Sequence, residues 1–211
     1  MMKKPWMRRG VIASLFLLWL TLSAVGLRWL SVYKSTPGPR ADAPKTWPKK
    51  AGFEPATDAP TLLLFLHPHC DCTDATVSEL AEVFAQSSSP VKAVVLVYHP
   101  DGVSREWSES PLVEKVSKIP RVTVRRDKGE VERRRFGAVT SGQILLYDKD
   151  GALKYNGGIT RARGARGDNP GRRALLRLLQ GDVAEMQAGP VLGCPLVSSH
   201  SLCEGESCCP P

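Results

Sequence analysis

The stretch TLLLFLHPHCDCTDATVSELAEVF, residues 61–84, decides the fold. TLLLFL (61–66) is a short continuous apolar run, the pattern of a strand buried on both faces. HPHCDC follows, and then a helix. Thr76-Val77-Ser78-Glu79 has capping-box form, while Val77, Leu80 and Phe84 fall on one helical face. The order strand, cysteine pair, helix sets Cys70 and Cys72 ahead of a helix N-terminus, which offers unpaired N–H groups and a partial positive charge. A thiolate placed there is stabilised and more of it exists as nucleophile near neutral pH. His67 and His69 stand just before the pair: protonated they stabilise a thiolate further, neutral they accept or pass on its proton. Asp71, between the sulfurs, acts in the opposite sense.

Moving outward toward the C-terminus, AVVLVY (93–98) reads as a second buried strand. A short helix is expected over Pro111–Lys118, a strand near Val122–Val124, and a charged, solvated helix over Asp127–Arg135. QILLYD (143–148) and ALKYNGG (152–158) flank a tight turn and form a β-hairpin. Asn169-Pro170 starts a last amphipathic helix, Asn as N-cap and Pro at its first position, and Gly181 stops it. Strands alternating with helices and closing on a hairpin imply an α/β fold, a mixed sheet flanked by helices, over residues 61–181. Residues 182–211 lack a periodic pattern and read as a loosely packed cysteine-containing extension.

On the N-terminal side, Gly10 to Leu27 contains no charged residue and follows Lys3, Lys4, Arg8 and Arg9. A run of about 18 mostly apolar residues is just long enough to span a bilayer as a helix, with Trp29 as an interfacial anchor. A signal peptide cut after Ala24-Val25-Gly26 competes with this reading, and the uncleaved anchor is preferred. Arg28, Lys34 and Arg40 after the span leave the positive-inside bias shallow. The expected organisation is therefore a transmembrane helix over residues 1–30 and a Pro-rich tether over 31–60, ahead of an extracytoplasmic domain. The basic start and the span target the exporting membrane and put the domain outside the cytoplasm. The net charge of +8 lies largely beside the span, so it argues for the membrane and against nucleic acid.

Six cysteines in an exported chain point to disulfide chemistry. None falls between Cys72 and Cys194, so they do not form an ordinary structural framework. A structural bridge or two buried thiols also fits poorly with a polar loop holding two histidines. Cys-X-Cys closes a smaller ring than the common Cys-X-X-Cys, its torsions are strained, and the couple is expected to be oxidising. Cys194 reads equally as a third thiol or as a small buried residue. His200, Cys203, Cys208 and Cys209 have soft-ligand composition, and with Cys70 and Cys72 they are candidate ligands for copper. The glycines and arginines of GGITRARGARGDNPG (157–171) match neither GxxxxGK[ST] nor GxGxxG, so the stretch reads as a loop feeding a capped helix.

TLLLFLHPHCDC followed by an amphipathic helix resembles the active-site strand and helix of thioredoxin-like proteins. HPHCDCT, TSGQILLYDKDG, GGITRARGARGDNPG and GCPL together resemble the RedB-type, membrane-anchored thioredoxin-like proteins of bacteria, over Thr61 to Leu196. The resemblance implies thiol–disulfide exchange with protein thiols and disulfides and no required cofactor. It also makes the exporting membrane the cell inner membrane and the compartment of the domain the periplasm. Cys70 is similar to the attacking thiol and Cys72 to its resolving partner. The chain departs from the thioredoxin-like pattern at Val139-Thr140-Ser141-Gly142, where a cis-proline usually faces the cysteines. A non-proline cis bond costs about 2.5–4 kcal/mol, so a trans peptide is expected there.

Overall fold

A computed structural model of the chain describes residues 5–39, 42–182 and 188–196. It divides into two units, Met1–Thr36 and Pro37–Pro211. The first is a single helix, α1 (Pro5–Ser35). Within it, Arg9–Ser35 is long and apolar enough to cross a membrane by length and composition. At 1.5 Å per residue those 27 residues reach about 40 Å, beyond the roughly 30 Å hydrocarbon layer. The helix extends past residue 30 because nothing before Pro37 interrupts it.

The second unit is built on a five-stranded sheet in the order β3-β2-β1-β4-β5. Its strands are β1 (Thr61–Leu66), β2 (Lys92–His99), β3 (Val122–Lys128), β4 (Gln143–Tyr147) and β5 (Leu153–Gly157). β1, β2 and β3 run parallel, while β4 is antiparallel to both β1 and β5. This is the mixed sheet expected from the alternation of elements. Every residue of β1 is buried, as its unbroken apolar run requires of a central strand.

Alternate β1 residues serve two cores. Leu62, Leu64 and Leu66 pack under α2 (Asp71–Gln86), α3 (Pro111–Ser117) and α5 (Pro170–Leu179), through Val77, Leu80, Val116 and Leu175. Leu63 and Phe65 face the other side, with Tyr147, Leu196 and Phe136, which follows α4 (Val131–Arg135). Each fully buried Leu contributes roughly 1.5–3 kcal/mol, so β1 alone anchors much of the fold.

Four expectations are corrected. α2 begins at Asp71 with Cys70 as its N-cap, so Thr76 and Glu79 are interior helical positions and form no capping box. The cysteine corner itself starts the helix. Residues 42–60 are no free tether. Trp47 stands edge-on to Phe136 (5.0 Å) and Tyr147 (5.2 Å), Thr46 bridges Ala152, and the Tyr147 hydroxyl donates to the Pro44 carbonyl (2.9 Å). The aromatic residues of this segment are needed to cover the second face of the sheet. A Cβ at Gly137 would lie 2.2 Å from the Asp42 carbonyl oxygen, so the close passage of this segment requires glycine there.

The charged run 127–135 is not a solvated helix. β3 continues to Lys128, and Asp127, Glu130, Glu132 and Arg133 are buried. The Asp127 carboxylate accepts from the Glu132 and Arg133 N–H groups (2.8 and 2.7 Å) and so starts α4, and Glu130 pairs with Arg133. Finally, the extension packs in part: Val191, Leu192, Cys194 and Leu196 are buried. α5 matches expectation, with the Asn169 side chain accepting from the Arg172 N–H at 2.9 Å.

Candidate active site

The corner between β1 and α2 is shaped by short-range bonds. The Cys70 N–H donates to the His67 carbonyl (3.2 Å), the Thr73 N–H to the Cys70 carbonyl (3.0 Å) and the His69 N–H to His67 Nδ1 (3.1 Å). Cys70, extended at φ −103°, thus sits at the positive end of a 16-residue helix.

Three sulfurs meet there. The Sγ atoms of Cys70, Cys72 and Cys194 all lie within 4.8 Å of one another. Cys194 Sγ is 2.7 Å from Cys70 Sγ, and the Cys194 N–H points at the same sulfur at 3.4 Å. Cys70 is 1% exposed and Cys194 5%, whereas Cys72 is half-buried. Hydrogen bonding from the Cys194 thiol, and next from Cys72, holds the Cys70 pKa far below the ordinary thiol value. Burial opposes this and loses, and the Thr73 hydroxyl and Cys194 N–H add to the lowering. The Asp71 carboxylate is not among the main causes. The charged form of Cys70 is thus favoured by donors rather than by water.

The turn before β4 closes the site. The Ser141 hydroxyl accepts from the His67 N–H (2.9 Å) and shares a hydrogen bond with the Thr73 hydroxyl (2.7 Å), while the Ser141 N–H donates to the Cys194 carbonyl (2.8 Å). Among the described residues there is no cis peptide, in line with the expectation for Val139–Gly142. Ser141 does by hydrogen bonding what a rigid turn does by shape: it fixes the loop against the cysteine corner.

The two histidines part company. His67 is buried, stacks on Tyr98 (5.2 Å) and has its pKa lowered to about 4, chiefly by burial. The Cys70 charge works against that lowering and does not overcome it. An uncharged His67 cannot supply a positive charge to the thiolate, and its Nδ1 is engaged by the His69 N–H; it braces the loop. His69 is exposed, and its Nε2–H donates to the Trp107 carbonyl at 2.8 Å. Trp107, in the 3-10 turn Glu106–Ser108, packs edge-on against both rings and forms the outer wall of the corner.

No protein-family model and no curated protein matches the chain. Solved structures do. A hypothetical protein of Sinorhizobium meliloti superposes with TM-score 0.52 and 19% identity, covering 76% of this chain and 93% of that one. An uncharacterized conserved protein of Geobacillus kaustophilus gives 0.53 and 16%, over 77% and 94%. A secreted disulfide oxidoreductase of Mycobacterium tuberculosis, homologous to DsbE of E. coli, gives 0.42 and 18%, over 58% and 81%. The mixed sheet with flanking helices is the fold this chain shares with the first two. At these identities the likeness concerns the fold alone.

Within that fold, Cys70, Cys72 and His67 converge on one corner, with His69 at its rim. Among the described residues the candidate metal-ligand set found together is Cys70, Cys72 and Cys194, without a histidine. His200, Cys203, Cys208 and Cys209 lie outside the described residues. Thr73, Ser141 and Trp107 were not signalled by motif.

Proposed function

We propose that the chain is a membrane-tethered thiol–disulfide oxidoreductase of the RedB type, acting on extracytoplasmic protein thiols and disulfides. The carrying observation is Cys70: a buried cysteine at a helix N-terminus, its pKa lowered by neighbouring donors, with two further thiols within 4.8 Å. The thiolate attacks one sulfur of a disulfide, the far sulfur leaves as thiolate, and a neighbouring cysteine resolves the mixed disulfide. A lowered thiol pKa stabilises the reduced form, which favours an oxidising couple and supports donating or shuffling disulfides. His67 and Ser141 hold the corner in register, and no resident cofactor is called for. The apolar α1 supports anchoring in the inner membrane with the domain in the periplasm. Insulin-reduction and disulfide-isomerase turnover test the reading: Cys70→Ser is expected to abolish both, and full turnover by that variant contradicts it.

A second reading rests on the same sulfurs. Three soft donors within 4.8 Å suit a soft cation carried as cargo, Cu(I) above all. Anaerobic Cu(I) titration distinguishes the two: equal binding by wild type and the Cys70→Ser/Cys72→Ser double variant eliminates copper handling at this site.

A further inference from the structure

Residues 188–196 approach the site as a docked peptide does. Leu196 N–H donates to the Val139 carbonyl (2.8 Å), Ser141 N–H donates to the Cys194 carbonyl (2.8 Å), and Thr140 and Pro195 are antiparallel bridge partners. Adding an extended segment through main-chain bonds, with alternate side chains filling pockets, is a general way to bind a peptide. Leu192, Cys194 and Leu196 are buried and Pro195 is exposed, while Gly193, which has no side chain, is buried between Leu192 and Cys194. Gly193 permits the approach, since a Cβ there would lie 1.9 Å from the Ser141 carbonyl oxygen. The central side chain of this docked strap is a cysteine aimed at Cys70 Sγ.

Geometry also separates the two partners available to Cys70. Cys70 is the N-cap and Cys72 the second residue of α2. The Cys72 sulfur also lies within 4.8 Å, but a Cys70–Cys72 bond closes a small Cys-X-Cys ring with strained torsions. Cys194 stands on a separate segment, 2.7 Å away, and needs only to close to the bonding distance of about 2.05 Å.

We propose that Cys194 is a third catalytic thiol, and that it, rather than Cys72, closes the disulfide with Cys70, its strap acting as a built-in substrate. The proposal rests on the thiol–disulfide reading. An incoming protein disulfide displaces the strap from Val139–Ser141. The Cys70 thiolate attacks the nearer substrate sulfur, the substrate S–S bond breaks, and the far sulfur departs with the electron pair and takes a proton from solvent. The strap returns, and Cys194, its proton lost to solvent, attacks Cys70 Sγ. The mixed disulfide breaks, and the second substrate sulfur leaves as thiolate. The substrate has gained two electrons, and Cys70 and Cys194 have lost two to form their bond. Run backward, the sequence donates a disulfide to a substrate dithiol. Cys72 remains a donor to the Cys70 sulfur throughout.

Disulfide mapping tests this on the full chain carrying Cys203→Ser, Cys208→Ser and Cys209→Ser. The protein is oxidised with glutathione disulfide, capped with N-ethylmaleimide and digested with trypsin. Cys70 and Cys72 then share the peptide 51–92, and Cys194 lies in 178–211. A link between the two peptides is expected, retained in Cys72→Ser and lost in Cys70→Ser and in Cys194→Ser. Insulin-reduction turnover of Cys194→Ser is expected to fall at least about tenfold, as loss of a held neighbouring thiol implies. A Cys70–Cys72 bond inside the first peptide, with Cys194 capped, overturns the proposal and leaves the oxidoreductase reading standing. Absence of any disulfide at Cys70, with full turnover by Cys70→Ser, overturns both.

Discussion

Two regions deliver sulfur to the same few ångströms by opposite means. The corner at residues 67–73 is shaped by bonds that span two or three residues, Cys70 to His67, Thr73 to Cys70 and His69 to His67, and Ser141 and Trp107 close it from a distance. The strap at 188–196 is held at long range, by backbone bonds to Gly38, Val139, Ser141 and Asn156 and by the Arg163 side chain, which donates to the Gly193 carbonyl. A locally bonded corner keeps its shape while its surroundings move. A strap tied by a few backbone bonds and two leucines opens as a unit at a fraction of the global unfolding cost. The comparison teaches a division of labour: a fixed thiolate, and a movable thiol that covers it.

The sharpest way to break this division is Gly193→Val, which sets a side chain against the Ser141 carbonyl and forces the strap away. Maleimide labelling of Cys70 is then expected to accelerate roughly 100-fold, equivalent to about 2.7 kcal/mol of local opening, with the fold intact by circular dichroism. An unchanged rate means the strap does not gate Cys70.

The corner is probed by pH. His67 has a folded pKa near 4, below its usual 6.5, so the unfolded chain binds a proton that the folded chain refuses. Its effect on stability is nil above pH 6.5 and grows as pH falls toward 4, destabilising by about 3 kcal/mol at most. Denaturation at pH 7 and pH 4 is expected to show a smaller loss for His67→Asn than for wild type, and equal losses count against the burial argument.

Thr73→Val removes one donor from the Cys70 thiolate and from Ser141. A rise of about one pKa unit at Cys70 is expected, about 1.4 kcal/mol, read from thiolate absorbance. Asp74→Asn marks the bottom of the scale. Its pair with Lys115 is about half exposed on both sides, and its loss is expected to cost about 0.5 kcal/mol or less in chemical denaturation.

The same contrast explains what was legible in the sequence. β1 was readable because a continuous apolar hexamer has few other uses, and α5 because Asn169-Pro170 carries its own cap. The active corner was readable as strand, cysteines, helix. Thr76-Val77-Ser78-Glu79 misled because a capping box inside a helix looks the same as one at its start; only the bonds at Cys70 distinguish them. Residues 42–60 misled because prolines signal extended chain without saying whether Trp47 and Phe53 will find a sheet to cover. Buried charge at 127–133 was hidden because Asp127 caps α4 and Glu130 pairs with Arg133, neither of which composition reveals. Cys194 lies 124 residues from Cys70, so no local pattern connects them.

Cys70 is expected to be a thiolate at neutral pH, held by the helix N-terminus and its sulfur and hydroxyl neighbours. Absorbance at 240 nm, titrated against pH for the reduced wild type minus Cys70→Ser, reads that charge without requiring access to the buried sulfur. A difference signal present at pH 7 and persisting well into the acid range supports the account. A signal that appears only as pH climbs through about 8.5, the range of an ordinary thiol, contradicts it.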